Sequence, residues 1–162
     1  MNAQDELVDA CKRGDLEKAE LSISKGANVN EKDNWEDTPL HLVSINGRLE
    51  VAELLISKGS NVNEKSNNGY TPLHWASYNG HLKVAELLIS KGANVNEKSN
   101  NGLSPLYFAS LYGHLKVMEL LISYGADYSE LMEEYEKEGD EEKREELERI
   151  VIDVGMGKVK MI

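Results

Sequence analysis

The sequence contains a single cysteine, Cys11, and this scarcity excludes two kinds of site. A lone thiol forms no disulfide within the chain, and no second cysteine is present to complete a thiolate metal centre. Such cysteine usage is typical of a protein kept in a reducing compartment, so we expect a cytoplasmic location.

Positive charge is also scarce. Lys and Arg together number 18 against 29 for Asp and Glu, which gives a formal net charge of −11. No local cluster of basic residues offsets this balance, so we expect neither a nucleic-acid partner nor an acidic membrane surface. No apolar run approaches the roughly 18 residues of a membrane-spanning helix. The start, MNAQDELVDACKRGD, lacks the basic segment and apolar run of a secretory signal.

What the sequence does contain is a repeat with a period of 33 residues. The tetrapeptide TPLH begins at Thr38 and again at Thr71, and the related SPLY begins at Ser104. The segment VAELLISKG at 51–59 recurs unchanged at 84–92. A fixed period of this length is typical of stacked units that each contact only their neighbours.

Each unit is predicted to contain two antiparallel helices and a loop. In the second repeat, Thr71 is the predicted N-cap, Pro72 is the first helical residue and Gly80 ends this short helix in a left-handed conformation. The segment HLKVAELLIS at 81–90 has apolar residues at helical spacing and predicts the second helix. The following ANVNEKSNNG at 93–102 predicts a hairpin-like loop that projects away from the helices.

The pattern G-x-TPLH-x-A, then G-H-L, LL and G-A-N-V-N, resembles the repeat of ankyrin proteins over about residues 5–128. The resemblance implies an all-α solenoid of stacked antiparallel helix pairs with hairpin-like loops. The predicted single domain spans 1–162 and divides into an N-terminal capping repeat at 1–33, full repeats at 34–66, 67–99 and 100–128, a divergent C-terminal helical cap at 129–155 and a tail at 156–162.

The N-terminal end lacks TPLH and begins with polar residues, which favours a capping role. In this capping repeat Cys11 stands in register with Ser44, Ser77 and Ser110. That register is typical of a small residue packed between helices, and we favour this role for Cys11 over a reactive thiol.

At the C-terminal end the loop sequence is missing. Ser129 is predicted to cap one helix directly and Asp140 to cap a second. The second helix has an apolar stripe formed by Leu147, Ile150, Val151 and Val154. The glutamates on its other face predict either a solvated surface or an acidic partner site. We expect the tail at 156–162 to fray or to pack along the last helix.

The histidines do not form a predicted active site. His41 and His74 belong to TPLH, where the ankyrin resemblance implies a structural ring that hydrogen-bonds between neighbouring loops. Together with His81 and His114 they recur at the repeat spacing, so they do not converge on a metal or an acid–base pair. The chain also contains no GxxxxGK[ST], GxSxG or HExxH motif. We expect no enzymatic activity, no metal and no cofactor.

Function is expected where otherwise equal repeats differ. In ankyrin proteins the loop tips and first helices form the concave surface that binds partners. The predicted partner-binding residues are Trp35, Asp37, Ile45, Tyr70, Trp75, Tyr78, Asn79, Leu103, Phe108, Leu111 and Tyr112. Trp and Tyr favour a protein interface because they offer large, rigid contact area. Trp75, Phe108 and Leu42, which directly follow the TPLH position, are equally compatible with packing between first helices.

One loop residue departs from the pattern. Glu36 stands where Gly69 and Gly102 occupy the turn of the later loops. The first loop is therefore expected either to hold a strained backbone or to take another turn type.

The sequence as a whole predicts a non-enzymatic, cytoplasmic protein-binding module. Its charge favours a partner with a neutral or basic contact surface. One alternative is an inhibitor or immunity-type protein that blocks a partner enzyme. Another is an engineered or self-associating repeat scaffold, because KGxNVNEKSNNG is almost unchanged between repeats. The expected state is a monomer, or a homodimer formed through the aromatic face.

Overall fold

The computed structural model describes residues 1–157, which form ten helices in five antiparallel pairs and contain no strand. The inner helices of the pairs are α1 (Ala3–Arg13), α3 (Pro39–Asn46), α5 (Pro72–Asn79), α7 (Pro105–Leu111) and α9 (Ser129–Glu138). The outer helices are α2 (Leu16–Ser24), α4 (Leu49–Ser57), α6 (Leu82–Ser90), α8 (Leu115–Ser123) and α10 (Glu141–Gly155). The pairs stack in sequence order, which confirms the predicted all-α solenoid.

The inner helices begin and end where the sequence predicts. At α5 the hydroxyl of Thr71 accepts a hydrogen bond from the backbone N–H of His74, and Pro72 occupies the first turn. Gly80 follows with a φ of 71°, in the left-handed region, and its N–H bonds the carbonyl of Ala76. These short-range signals place the helix because each satisfies backbone groups that would otherwise lack partners.

The outer helix of the second repeat starts later than predicted. It begins at Leu82, and His81 lies outside it with a ψ of 81°. The reason is a contact across the repeat boundary, since Nε2 of His81 donates a hydrogen bond to the carbonyl of Ile45 at 3.0 Å.

The hydrophobic core runs the length of the stack. In the three full repeats, one leucine of each inner helix and one of each outer helix is almost completely buried, and these are Leu40, Leu73, Leu106, Leu55, Leu88 and Leu121. Burying such a side chain contributes about 2 kcal/mol. Because each pair covers the apolar face of the next, no repeat has a complete core of its own.

Polar side chains also join successive repeats. Asn63 donates from Nδ2 to the carbonyl of Gly92 at 3.0 Å and accepts the N–H of Asn94 at 2.8 Å. Asn30 and Asn96 make the same pair of bonds in their own repeats. Lys–Glu pairs cross the same boundaries, joining Lys32 to Glu64, Lys65 to Glu97 and Lys98 to Glu130.

The chain enters α9 directly after Tyr128, without a loop. The predicted capping role of Ser129 is wrong, because Ser129 is the first helical residue. Tyr128 occupies the N-cap position without a side-chain bond, and Asp127 before it supports the start of the helix. Oδ1 of Asp127 accepts the backbone N–H of Ser129 at 2.9 Å and the hydroxyl of Ser129 at 2.7 Å. The predicted cap at Asp140 is confirmed, as its Oδ1 accepts the N–H of Lys143 at 3.1 Å.

The last pair closes the stack asymmetrically. α10 packs against α8 and α9, burying Leu147 and Ile150 while Val151 and Val154 pack against the core from its edge. Among the inner helices, α1, α3, α5 and α7 lie side by side, whereas α9 is displaced from α7.

Of the predicted tail, residues 158–162 lie outside the described part of the chain. Within residues 1–157, no helix is both long and apolar enough to cross a membrane.

Candidate partner-binding surface

Three loops with the same backbone hydrogen bonds lie above the inner helices. In the second loop the N–H of Ser66 donates to the carbonyl of Tyr70, and the N–H of Gly69 donates to the carbonyl of Ser66, both at 2.9 Å. Neighbouring loops are joined directly, because the N–H of Asn100 donates to the carbonyl of Asn68 at 2.9 Å. The loop tips are therefore held in fixed register over the helices.

The TPLH histidines fix the second and third loops to the inner helix of the preceding repeat. The N–H of Thr71 donates to Nδ1 of His74 at 3.0 Å, so the Nε2–H of this ring donates to the carbonyl of Leu103 at 2.9 Å. His41 makes the same contact with the carbonyl of Tyr70. Burial lowers the pKa of His74 to about 4, so the ring is neutral at physiological pH. The predicted structural role of both histidines is confirmed.

His81 and His114 have a comparable role that the sequence analysis missed. Their Nε2 atoms donate to the carbonyls of Ile45 and Tyr78, each at 3.0 Å. Each ring also packs against the glycine that ends the inner helix of the preceding repeat. A Cβ on Gly47 would lie 2.5 Å from Nδ1 of His81, and a Cβ on Gly80 would lie 2.5 Å from Nδ1 of His114. The dipeptides Gly47-Arg48, Gly80-His81 and Gly113-His114 recur at the repeat period, and this recurrence in the sequence indicates the role. These rings hold the C-terminal ends of the inner helices, where two predicted partner-binding residues lie.

Five of the predicted residues form one continuous aromatic cluster, defined here as Tyr70, Trp75, Tyr78, Phe108 and Tyr112. The ring centroids of Tyr70 and Trp75 lie 5.2 Å apart, those of Tyr70 and Phe108 5.6 Å, and those of Tyr78 and Phe108 5.5 Å. Tyr78 and Tyr112 approach to 4.5 Å, and their hydroxyls are hydrogen-bonded at 3.0 Å. The four rings of the cluster other than Tyr112, together with His74, line an apolar hollow of about 40 Å³.

The eleven predicted residues differ in exposure. Trp35, Leu111 and Tyr112 are exposed, Trp35 at 68%. Seven are half-buried, namely Asp37, Ile45, Tyr70, Trp75, Tyr78, Asn79 and Leu103. Phe108 is 7% exposed and lies beneath the rings of Tyr70 and Tyr78. The structure brings the aromatic cluster together from two adjacent repeats, while Trp35 stands apart on the first loop.

Asp37 lies in an unfavourable electrostatic environment. Its Oδ1 is buried and accepts no hydrogen bond from residues 1–157. Desolvation, together with the neighbouring Asp33, raises the pKa of the Asp37 carboxyl to about 6.

The first loop keeps the common turn despite its missing glycine. Glu36 has a φ of 59°, and its N–H donates to the carbonyl of Asp33 at 3.0 Å, as Gly69 does to Ser66. Of the two expected outcomes, the strained backbone is the correct one.

Two other kinds of site, a metal site and a reactive thiol, have little support in residues 1–157. No group of three or more His, Cys, Asp or Glu side chains within 1–157 is placed to hold a metal ion. Cys11 is fully buried, and burial raises the pKa of its thiol to about 12. The predicted packing role of Cys11 agrees with this environment.

Comparison with known families gives two overlapping matches. A family model described as ankyrin repeats (3 copies) matches residues 7–99. Another, described as ankyrin repeats (many copies), matches residues 79–122. No curated protein matches the sequence significantly.

Proposed function

The chain belongs to the ankyrin-repeat family, and from this premise we propose that it binds a partner protein on its concave face. Ankyrin repeats generally mediate protein–protein interactions and are typically non-enzymatic. The observation that carries the proposal is the aromatic cluster. Two adjacent repeats contribute its rings, from one loop tip and from the inner helices α5 and α7.

The cluster suits a partner because it is organised before binding. Tyr78 and Tyr112 are held by ring contact and a shared hydrogen bond, and Phe108 supports both Tyr70 and Tyr78 from below. A surface whose side chains are already ordered loses less conformational entropy on association. Exposed Tyr112 and Leu111 lie at its edge and offer apolar area with a polar tip.

The chemistry proposed for the partner is neutral to basic. The net charge of −11 disfavours an acidic surface, and the unpaired Asp37 is stabilised as a carboxylate by a partner cation. Binding a cation there lowers the pKa of Asp37, so a carboxyl that is largely protonated below about pH 6 releases its proton on binding at such a pH. We further propose that the interaction occurs in the cytoplasm, without catalysis or cofactor. Pairing of two copies through the aromatic cluster is the competing arrangement, and light scattering over a range of concentrations distinguishes it.

The test is affinity capture from the native host with the variant Tyr78→Ala/Tyr112→Ala. Removing both rings deletes the exposed Tyr112 and the half-buried Tyr78 from the aromatic cluster, so we expect partner capture to be lost. Because the double variant loses the Tyr78–Tyr112 pair together with the ring contacts of Tyr78 to Trp75 and Phe108, it should lose about 2–3 kcal/mol of stability and several degrees in melting temperature.

The matched control is Leu21→Ala/Ile152→Ala, which removes two exposed apolar side chains from the outer helices α2 and α10. This variant should retain capture. Undiminished capture by the tyrosine variant contradicts the proposal. A loss of most of the folding stability in that variant instead identifies the two rings as core residues.

A further inference from the structure

A groove lies at the C-terminal end of the repeat array, where a fourth loop is missing. It has a volume of about 360 Å³ and is lined by Leu103 and Tyr107 on one side and by Leu131 and Glu134 on the other. We propose that this groove binds a basic turn of a partner protein, which occupies the place of the missing loop. The site is separate from the aromatic cluster and does not depend on it.

The shape of the occupant follows from the two complete loop junctions. The N–H of Asn67 donates to the carbonyl of Trp35 at 3.0 Å, and the N–H of Asn100 donates to the carbonyl of Asn68 at 2.9 Å. The equivalent carbonyl of the third loop belongs to Asn101, and no residue within 1–157 donates to it. An incoming turn therefore meets a free acceptor at the position where each earlier loop met one.

The glycines of the loops show that the third face is open. A Cβ on Gly69 would lie 2.8 Å from the backbone nitrogen of Asn100, because the next loop packs directly against it. Gly102 has nearly the same φ, 77° against 79°, yet a Cβ there would have no atom within 4 Å. The third loop thus has the packing surface of a junction without its neighbour.

Tyr107 supplies a hydrogen-bond donor in the same groove. It occupies the register of His41 and His74, whose Nε2 atoms donate to a carbonyl of the next loop at 2.9 Å. The hydroxyl of Tyr107 has no hydrogen-bond partner among residues 1–157, and the hydrogen bond to Ser104 uses the backbone N–H of Tyr107. With the carbonyl of Asn101, it offers one donor and one acceptor to the backbone of a turn.

The charge of the groove selects the side chains of that turn. Asp127, Glu130 and Glu134 line it against a single cation, Lys98, whose Nζ already pairs with Glu130 at 2.6 Å. Hydrogen bonds from Ser129 hold the pKa of the Asp127 carboxyl below its usual value, so this group stays charged. The remaining negative charge is complementary to Lys or Arg.

A second copy of the chain is a less suitable occupant. Continued stacking of copies would place its first loop in the groove, and that loop, EKDNWED at 31–37, is itself acidic. Like charges at such a contact oppose association, which leaves a basic turn from a different protein as the favoured ligand.

The probe is a hairpin peptide with the sequence of residues 94–103, closed by a disulfide between added terminal cysteines. One version carries Glu97→Lys and is basic, and the matched version carries Lys98→Glu and is acidic. Each is titrated into the isotope-labelled full chain while backbone amide shifts are followed by NMR. We expect the basic peptide alone to shift Asn101, Gly102 and Leu103. Glu134→Lys should weaken its binding about tenfold, and the same charge change at exposed Glu53 on α4 should leave binding unchanged.

Other outcomes overturn the proposal. These are no shifts at all, equal shifts from both peptides, or shifts confined to the aromatic cluster. Concentration-dependent shifts of the same amides without peptide assign the groove to a second copy instead. If Glu134→Lys is poorly folded by circular dichroism, Asp127→Asn replaces it, since Asn keeps the acceptor for Ser129 while removing the charge. Unchanged affinity in that variant also contradicts the proposal.

Discussion

Acidification should weaken the fold through the histidine that joins the second and third repeats. His74 is 1% exposed, and its Nδ1 accepts the N–H of Thr71 while its Nε2 donates to the carbonyl of Leu103. A proton on Nδ1 would remove the first of these bonds and place a charge in the core. Burial accordingly lowers the pKa of His74 from 6.5 to about 4.

The magnitude follows from these two pKa values. Between them the unfolded chain binds a proton at His74 and the folded chain does not, so unfolding is favoured as the pH falls. The contribution is fully present above pH 6.5 and is lost progressively towards pH 4. Lowering the pH from about 7 to about 5 should remove about 2 kcal/mol from the free energy of unfolding. His41, whose pKa burial also lowers, adds in the same direction.

The assay is urea unfolding at both pH values, followed by far-UV circular dichroism, for wild type and His74→Gln. The variant should be less stable at neutral pH by about 1–2 kcal/mol, because hydrogen bonds to buried groups are lost. When the pH is lowered from about 7 to about 5, the stability of this variant should fall less than the stability of wild type, by a difference of about 2 kcal/mol. The control is Tyr107→Gln, the same replacement at the same register position, where a tyrosine does not titrate in this range. Equal losses in wild type and His74→Gln would refute a neutral, buried His74.

Two further predictions concern the first loop. Glu36→Gly should stabilise the protein by about 0.5–1 kcal/mol, because glycine adopts the φ of 59° without the steric cost that Glu36 bears; an unchanged or lower urea midpoint contradicts this. Asp37→Asn should stabilise by about 1 kcal/mol at neutral pH, a value reduced for the partial exposure of the carboxyl. This gain in stability should shrink as the pH falls from about 6 towards 3.8, because Asp37 becomes protonated first in the folded chain and then in the unfolded chain. If urea titrations show the same gain at every pH, the pKa of Asp37 is not raised.

The sequence predicts the helices well because their limits depend on neighbouring residues. Thr71 and Pro72 start α5, and Gly80 ends it, through hydrogen bonds and backbone angles that span only a few residues. The missing fourth loop is predictable for the same reason, since no Asn- and Gly-rich segment follows Tyr128. Because the period is 33 residues, equivalent residues of successive repeats are expected to lie side by side in the stack.

Contacts between repeats are harder to predict. Nothing within the segment around Phe108 indicates that Tyr70 and Tyr78 cover it, because those rings come from the preceding repeat and their rotamers depend on mutual packing. His81 is similar, since its helical spacing suggests a place in α6 while a carbonyl 36 positions earlier holds it outside.

The equivalence of the junctions has a consequence for how such an array can lengthen. The asparagine bonds, the Lys–Glu pairs and the histidine-to-carbonyl contacts recur with similar geometry on both sides of the second repeat. A duplicated copy of residues 67–99 would meet a complementary surface at each end, so gene duplication there could extend the protein without new interface residues. Duplicating residues 100–128 would not, because Tyr107 and the missing loop make that repeat suited only to the final position.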